Sequence, residues 1–383
     1  MSDMLIVNVG GVATGKLDEP LIDAEAISIR DGKVLSLGAA SEQPDCEMVL
    51  DARGNLAAPG LIDSHVHTVL GDWTPRQNTI GFLESYSHGG LSRVLSASEV
   101  HAPGRPHDPA GVKALALLAH RCFQNLRPGG MTVHGGSLIL EPGLEEGDFR
   151  ELAAEGVWQA KAGMGRFKPS RDVAPLVRLA QAHGFKVMCH TGGESIPDST
   201  PVTPDDLLEI RPDVAGHVNG GTTSLPDADL PRVVASGIAL QICQAGNLRS
   251  ALEVLRLAGE ADTLDRVLAA SDTPTGTGMM PLAVIKSIVE LASLGGVAPE
   301  VGLCFGTGNV RDAYGLEAGV LEPGAPADLI LLDAPMSSEG RGPLQAMAKG
   351  DLPSISALVT DGVLRFIRSR NTPPPKHMPE VRT

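Results

Sequence analysis

The sequence predicts an α/β protein, a (β/α)8 TIM barrel carrying a small β-sandwich domain formed from both chain termini. Three observations lead there. From residue 60 to about 315, apolar strand-like runs alternate with helix-patterned stretches, and such alternation implies a parallel sheet with helical crossovers. Eight strand candidates fall in that span, and eight units in about 250 residues is the size of a closed barrel, although a doubly wound sheet writes similar text. On either side of the span, short strands and turns replace the alternation.

The first 59 residues read as strands: MLIVNV, then AISIRDGKVLSLG, then MVLDARGNLAAPG. Alternating residues broken by Asp31-Gly32 are a hairpin signal. The eight strand candidates that follow are LAAPGLIDSHV, SRVLSAS, TVHGGSLIL, GVWQAKAG, FKVMCHTGG, DVAGHVNGG, IALQICQAG and RVLAASDTP. Between them lie helical stretches such as DPAGVKALALLAHRCFQNL and DVAPLVRLAQAHG. Strand patterning returns in GVLEPGAPADLILLDAP and ISALVTDGVLRFIRSR. The simplest division is therefore a discontinuous sandwich, 1–59 with 318–383, and a barrel, 60–317. The closing NTPPPKHMPEVRT reads as a Pro-rich tail with little means of packing itself.

Composition narrows the partners. Among 383 residues, 31 basic against 46 acidic side chains give a formal charge of −15, which argues against a nucleic-acid or anionic-membrane surface. The opening MSDMLIVNVGG has neither a basic leader nor a cleavage site and reads as a first strand. No run approaches the ~18 apolar residues of a membrane span. Cys46, Cys122, Cys189, Cys243 and Cys304 are scattered without CxxC pairing, which suits reduced thiols and a cytoplasmic location.

The chemistry lies in GLIDSHVHTVLGD. Residues two apart on a strand point the same way, so His65 and His67 project together while Val66 turns into the opposite layer. Barrel enzymes place their chemistry at the C-terminal ends of the strands. There the sequence puts His65 and His67 on strand one, Lys161 on strand four, His190 on five, His217 on six and Asp272 on eight. Singly each has a bland reading: a hydrogen-bonded histidine, a snorkelling lysine, a turn-capping aspartate. Jointly, four imidazoles, a carboxylate and a potential anionic bridge form a nest for two divalent metals.

This order of residues resembles the amidohydrolase superfamily, and GAPADLILLD resembles that family's closing sandwich strand. The stretches DSHVHTVLGDWTPRQ, HAPGRP, VHGGSLILE, HTGGESIP, HVNGG and RNTPPP are most similar to the enamidase-like cyclic amidohydrolases, which open a tetrahydro-6-oxonicotinate ring. The resemblance covers nearly the whole chain. It implies a metal-dependent amidohydrolase that cleaves the C–N bond of a cyclic amide or lactam. His65 and His67 would hold one metal and His190 and His217 the other, with Asp272 on the first. The bridging position varies between lysine and glutamate across the superfamily. Here Lys161 is its only candidate, and it could bridge only as an N-carboxylated lysine. Zinc is the first expectation for both metals, with iron and manganese as alternatives. A metal-bridging hydroxide would attack, and Asp272 would act as general base and then acid. The resemblance also implies a homo-oligomer, a tetramer being one form.

Substrate contacts are less constrained. Arg76 and Arg105, in loops after strands one and two, could each clamp a carboxylate or simply be solvated. His134, at the end of strand three, could donate to a developing oxyanion. Three other readings compete. A mononuclear deaminase of heterocyclic rings would need an acid soon after His190, and Glu194 stands one residue later than its HxxE pattern. Dihydroorotase-like enzymes carry an arginine where Val69 stands. A non-catalytic scaffold relative would be expected to have lost metal ligands, and none is missing.

Overall fold

The computed structural model describes residues 4–40, 46, 48–68, 73–74, 79–98, 104–194, 200–220, 223–275 and 278–382. Arg76 and Val69 lie outside the described residues.

The barrel strands are Leu61–Val66, Leu91–Ser96, Thr132–His134, Gln159–Ala162, Lys186–His190, Val214–Gly216, Ala239–Cys243 and Val267–Ala270. Each pairs in parallel with the next, apart from a break in the third strand. The ring closes where strand eight returns to strand one. Val66 bridges Thr273, the Asp272 amide donates to the His65 carbonyl (3.0 Å), and the His67 amide donates to the Thr273 carbonyl (2.9 Å).

Helices follow from the periodicity of their sequences. Pro109–Asn125 buries Val112, Ala116, Ala119 and Phe123, one face at helical spacing, and the Asp108 side chain caps its first turn by accepting from the Gly111 amide. That helix explains the break in strand three. TVHGGSLIL, expected as one strand, kinks at Gly135–Gly136. Thr132–His134 pairs with strand two, and Leu138–Ile139 with strand four. A Cβ on Gly135 would lie 2.4 Å from the Phe123 ring and one on Gly136 2.8 Å from the Ala116 carbonyl, so only glycine lets the helix sit this close.

The terminal segments form two sheets. One runs Glu380–Arg382, Met48–Asp51, Met4–Val7, Ala26–Arg30, Lys33–Gly38; the other runs Val363–Ile367, Ser354–Thr360, Leu329–Asp333, Leu56–Pro59, Val12–Ala13, Leu21–Ile22. The expected hairpin is present, with positive φ at Asp31 (51°) and Gly32 (73°). Met4, Ile6, Ile27, Ile29 and Leu50 share a core with Leu329, Leu331, Ala357 and Val359. On the same strands Ile330, Leu332, Leu358 and, beyond a register shift, Ile355 pack into the barrel's core. The second sheet is thus buried on both faces, which is why LILL and ALV carry no polar alternation.

Two further expectations are corrected. LAAPGLIDSHV is two strands: Leu56–Pro59 pairs antiparallel with Leu329–Asp333, and only Leu61–Val66 enters the barrel. Gly60 makes the passage, where a Cβ would lie 2.5 Å from Ser92. The Pro-rich tail is also packed. The Met336 amide donates to Pro374 and the Lys376 amide to Ala334, and Asn55 Nδ2 donates to the His377 carbonyl. Glu380–Arg382 adds a strand beside Met48–Asp51. Prolines keep their carbonyls as acceptors, and an edge strand offers unpaired backbone groups to whatever chain passes.

Candidate metal centre

Strand one delivers its histidines as alternation requires. Val66 is fully buried in the apolar layer, while the His65 and His67 rings stand 5.2 Å apart on the other side. Both Nε2 atoms converge on one oxygen, Asp272 Oδ1, at 3.2 Å from His65 and 2.9 Å from His67. The second pair meets directly, with His190 Nδ1 2.9 Å from His217 Nε2. His65 joins the pairs, its ring 5.4 Å from that of His217. His190 Nε2 donates to the Gly193 carbonyl at 2.7 Å, which leaves Nδ1 as its lone pair towards the cluster. His217 Nδ1 has no hydrogen-bond partner among the described residues. Lys161 is 1% exposed; its amine is 3.6 Å from Met188 Sδ and lies within electrostatic reach of Asp272.

All six metal-ligand candidates therefore gather at one end of the barrel, and two of them strain the backbone to do so. His217 has φ +36° and Asp272 φ +56°, conformations that cost side-chain-bearing residues roughly 1–2 kcal/mol each. Their neighbours bear part of this. Asp63 Oδ1 accepts from the His65 and Ser271 amides, at 3.1 and 3.0 Å, clamping strands one and eight at the level of their ligand candidates.

Burial sets the protonation of the cluster. It pushes the His67 and His190 imidazoles down to about 4, partly offset by Asp272 and by the Gly193 carbonyl respectively. It lowers His217 well below the usual range, with His190 adding to the effect. Burial likewise lowers the Lys161 ammonium against the pull of Asp272. Burial alone would raise the Asp272 carboxyl, but the surrounding histidines hold it far down. At neutral pH the site holds the Asp272 carboxylate beside the uncharged His67, His190 and His217 imidazoles.

Such a donor set fits a divalent cation. One ligand atom each from His65, His217 and Asp272 lies within 4.8 Å of the others, and imidazole nitrogen with carboxylate oxygen is a common zinc combination. The His190–His217 contact brings a further nitrogen, His190 Nδ1, beside it.

The substrate-contact candidates fare differently. Arg105 is a buried ion-pair partner, its Nη2 2.8 Å from both Glu141 Oε1 and the Met164 carbonyl. His134 is not at the cluster. Lys161 is level with Ile139 on the kinked strand, well past His134, and the His134 ring lies against Trp158, with centroids 5.5 Å apart. Burial, then Arg93, Arg127 and His120, push its pKa down to about 3.

Two functional neighbours escaped the reading of the sequence. Glu141 closes the second half of strand three, fully buried, accepting from Arg105, from His107 Nδ1 (2.9 Å) and from the Arg166 amide (2.9 Å). The rule that picked out the ligand candidates, a polar residue ending an apolar run, fits SLILE once the kink is known. Gln241, fully buried in strand seven, contacts His65 Nδ1 at 2.6 Å. Its signal was a lone amide inside ALQIC.

No family model matches the chain. A curated enamidase from Eubacterium barkeri is 42% identical over 385 aligned residues, covering 100% of both chains. A crystal structure of enamidase, described as a new member of the amidohydrolase superfamily, superposes with a TM-score of 0.96 over 99% of this chain and 100% of that one. The chain belongs to the enamidase family of the amidohydrolase superfamily. It is accordingly a metal-dependent hydrolase of a C–N bond. An imidazolonepropionase from Mycolicibacterium smegmatis is 31% identical, covering 88% of this chain and 92% of that protein. An adenine deaminase from Deinococcus deserti is 25% identical over 82% of this chain, which spans 54% of that protein's length.

Proposed function

We propose that this enamidase relative hydrolyses the ring amide of a six-membered lactam that carries a carboxylate, the class that includes tetrahydro-6-oxonicotinate. The observation that carries this is the convergence of His65, His67, Lys161, His190, His217 and Asp272 on one cluster, together with full-length similarity to enamidase. His65, His67 and Asp272 would hold one divalent ion and His190 and His217 a second, zinc first and iron or manganese as alternatives. Bound there, such ions supply Lewis acidity towards the carbonyl and make water acidic enough to attack at neutral pH.

The side chains do the rest. Lys161 is a buried amine disfavoured as an ammonium. Addition of CO2 to its free amine forms an N–C bond, releases one proton and leaves an anionic carbamate between the two halves of the cluster. Asp272, ionised and shared by two histidines, accepts the proton of the attacking water and delivers it to the ring nitrogen as the C–N bond breaks. Water and lactam thus yield a carboxylate and an amine. Arg105 is already neutralised by Glu141, so no substrate clamp is assigned to it, and no oxyanion role to His134.

The deaminase alternative loses its acid, because Glu194 is exposed. The division into a 1–59/318–383 sandwich and a 60–317 barrel, a homo-oligomeric assembly and a cytoplasmic location complete the proposal. Cys46, Cys122, Cys189, Cys243 and Cys304 form no disulfide, and among the described residues no helix is long and apolar enough to cross a membrane.

A panel of cyclic amides, with and without a ring carboxylate, incubated with metal-reconstituted protein tests the assignment. Ring opening of the carboxylated lactams is expected. Ammonia release from an aminated heterocycle, with no lactam opened, would replace hydrolysis by deamination.

A further inference from the structure

Strand seven supplies no ligand to the cluster, yet it carries a fully buried amide in its midst, Gln241. The orientation of that amide follows from its partners. Gln241 Nε2 lies 2.8 Å from Ser64 Oγ and 3.2 Å from the Ser64 carbonyl oxygen. A carbonyl only accepts, so the amide nitrogen must face Ser64 and Oε1 must face His65. Oε1 also only accepts. At 2.6 Å from it, His65 Nδ1 must therefore carry the proton. Cys243 Sγ, 3.7 Å from Oε1, is a weak second donor to the same oxygen. The reversed amide would set oxygen against oxygen at Ser64.

The consequence falls on the other ring nitrogen. A ring whose one proton sits on Nδ1 has its lone pair on Nε2, and His65 Nε2 lies 3.2 Å from Asp272 Oδ1. Two lone pairs facing each other across that distance repel unless a cation lies between them. The His65 backbone is held as firmly, its amide donating to Asp63 Oδ1.

We propose that Gln241 is the positioning residue of the metal centre: it fixes His65 as the Nδ1–H tautomer, so that Nε2 is presented to a divalent cation shared with Asp272. The inference rests on the metal-centre reading above and assigns strand seven a part in it. Partners of this kind, which orient a ligating imidazole through its second nitrogen, are typically worth 10–100-fold in metal affinity.

Two measurements test it. In metal-free wild-type protein with 15N-labelled histidine, the His65 ring signals, assigned by their absence in His65→Asn, should show Nδ1 protonated and Nε2 bare. In Gln241→Met, which keeps length and apolar bulk but lacks the acceptor, zinc affinity from chelator competition should fall by about 10–100-fold, and the His65 signals should shift towards the other tautomer. The inference is overturned by an Nε2-protonated His65 in the wild type, or by a folded Gln241→Met that binds zinc as tightly as the parent. If that variant does not fold, the wild-type tautomer alone decides. Wild-type protein that takes up no zinc, iron or manganese would instead sink the metal-centre reading, while the tautomer still judges the role of Gln241.

Discussion

Two buried polar clusters sit on the same rim of the barrel, and they differ in what they still need. Glu141 with Arg105 and His107 is complete. Its carboxylate is fully buried, both oxygens accept hydrogen bonds, and the Arg105 guanidinium, 5% exposed, balances its charge. The cluster around Asp272 is not complete in this sense. Its four imidazoles turn ring nitrogens towards one another and towards a carboxylate, and burial disfavours the charged forms of His67, His190, His217 and the Lys161 amine that would bring further protons to the site. A buried ion network that satisfies itself holds loops together. One that can be satisfied only by a cation from outside is a binding site. Charge alone does not separate the two; the balance of donors and acceptors does.

The largest effect expected from breaking this contrast is at Asp272. Asp272→Asn keeps an oxygen towards the histidines but cannot shuttle a proton, so turnover should fall by about 10²–10⁴-fold while metal content, read by elemental analysis, stays near the parent's. Undiminished turnover would remove the aspartate from the proton path. Next comes Lys161. Lys161→Met preserves length and burial but cannot take up CO2, and it should retain roughly one ion or fewer per chain. In the wild type, metal uptake should be faster in bicarbonate than in CO2-free buffer. Equal uptake in both would mean that Lys161 stays a plain amine.

The complete cluster should break in another way. Glu141→Gln leaves the Arg105 charge buried without its counter-ion, and loss of one partner of a buried pair costs about 3–5 kcal/mol. Denaturant unfolding should show that loss, while folded protein still binds metal in the parent's stoichiometry. A variant as stable as the parent would mean that Arg105 finds another anion, and the rim would need a new account.

Much of this was legible in the sequence because it rests on short-range periodicity. Alternation put His65 and His67 side by side, and the rule that polar residues close apolar barrel strands found Lys161, His190, His217 and Asp272. What escaped depended on tertiary packing. The helix against Gly135–Gly136 lengthens the path of strand three. His134, apparently at the end of its strand, therefore stops below the ligand layer, and Glu141 takes the rim. Leu56–Pro59 runs on in sequence from the barrel strand, and only its pairing with Leu329–Asp333 assigns it to the sandwich. Positive φ at His217 and Asp272 falls on residue types that adopt it more readily than most, yet type alone does not say which His or Asp will. Gln241 sat in plain text, but nothing in one strand says which histidine another strand will bring to it.

The smallest expected effect concerns His134, which the rim comparison leaves as a buried base outside both clusters. Its pKa is pushed from the usual 6.5 down to about 3, by burial first and then by Arg93, Arg127 and His120. A histidine depressed in the folded state takes up its proton more readily when unfolded. Its contribution to stability is therefore whole above about pH 6.5 and drains away as pH falls towards 3, by up to about 1.4 kcal/mol per pH unit. His134→Leu removes that term and should flatten the acid limb of the stability–pH curve. The buried imidazoles of the metal cluster drain stability in the same direction, so the comparison is between parent and variant at each pH, both metal-free. Metal-loaded His134→Leu should turn over substrate at close to the parental rate. A large fall in kcat with an unchanged acid limb would return His134 to the chemistry and overturn its placement below the ligand layer.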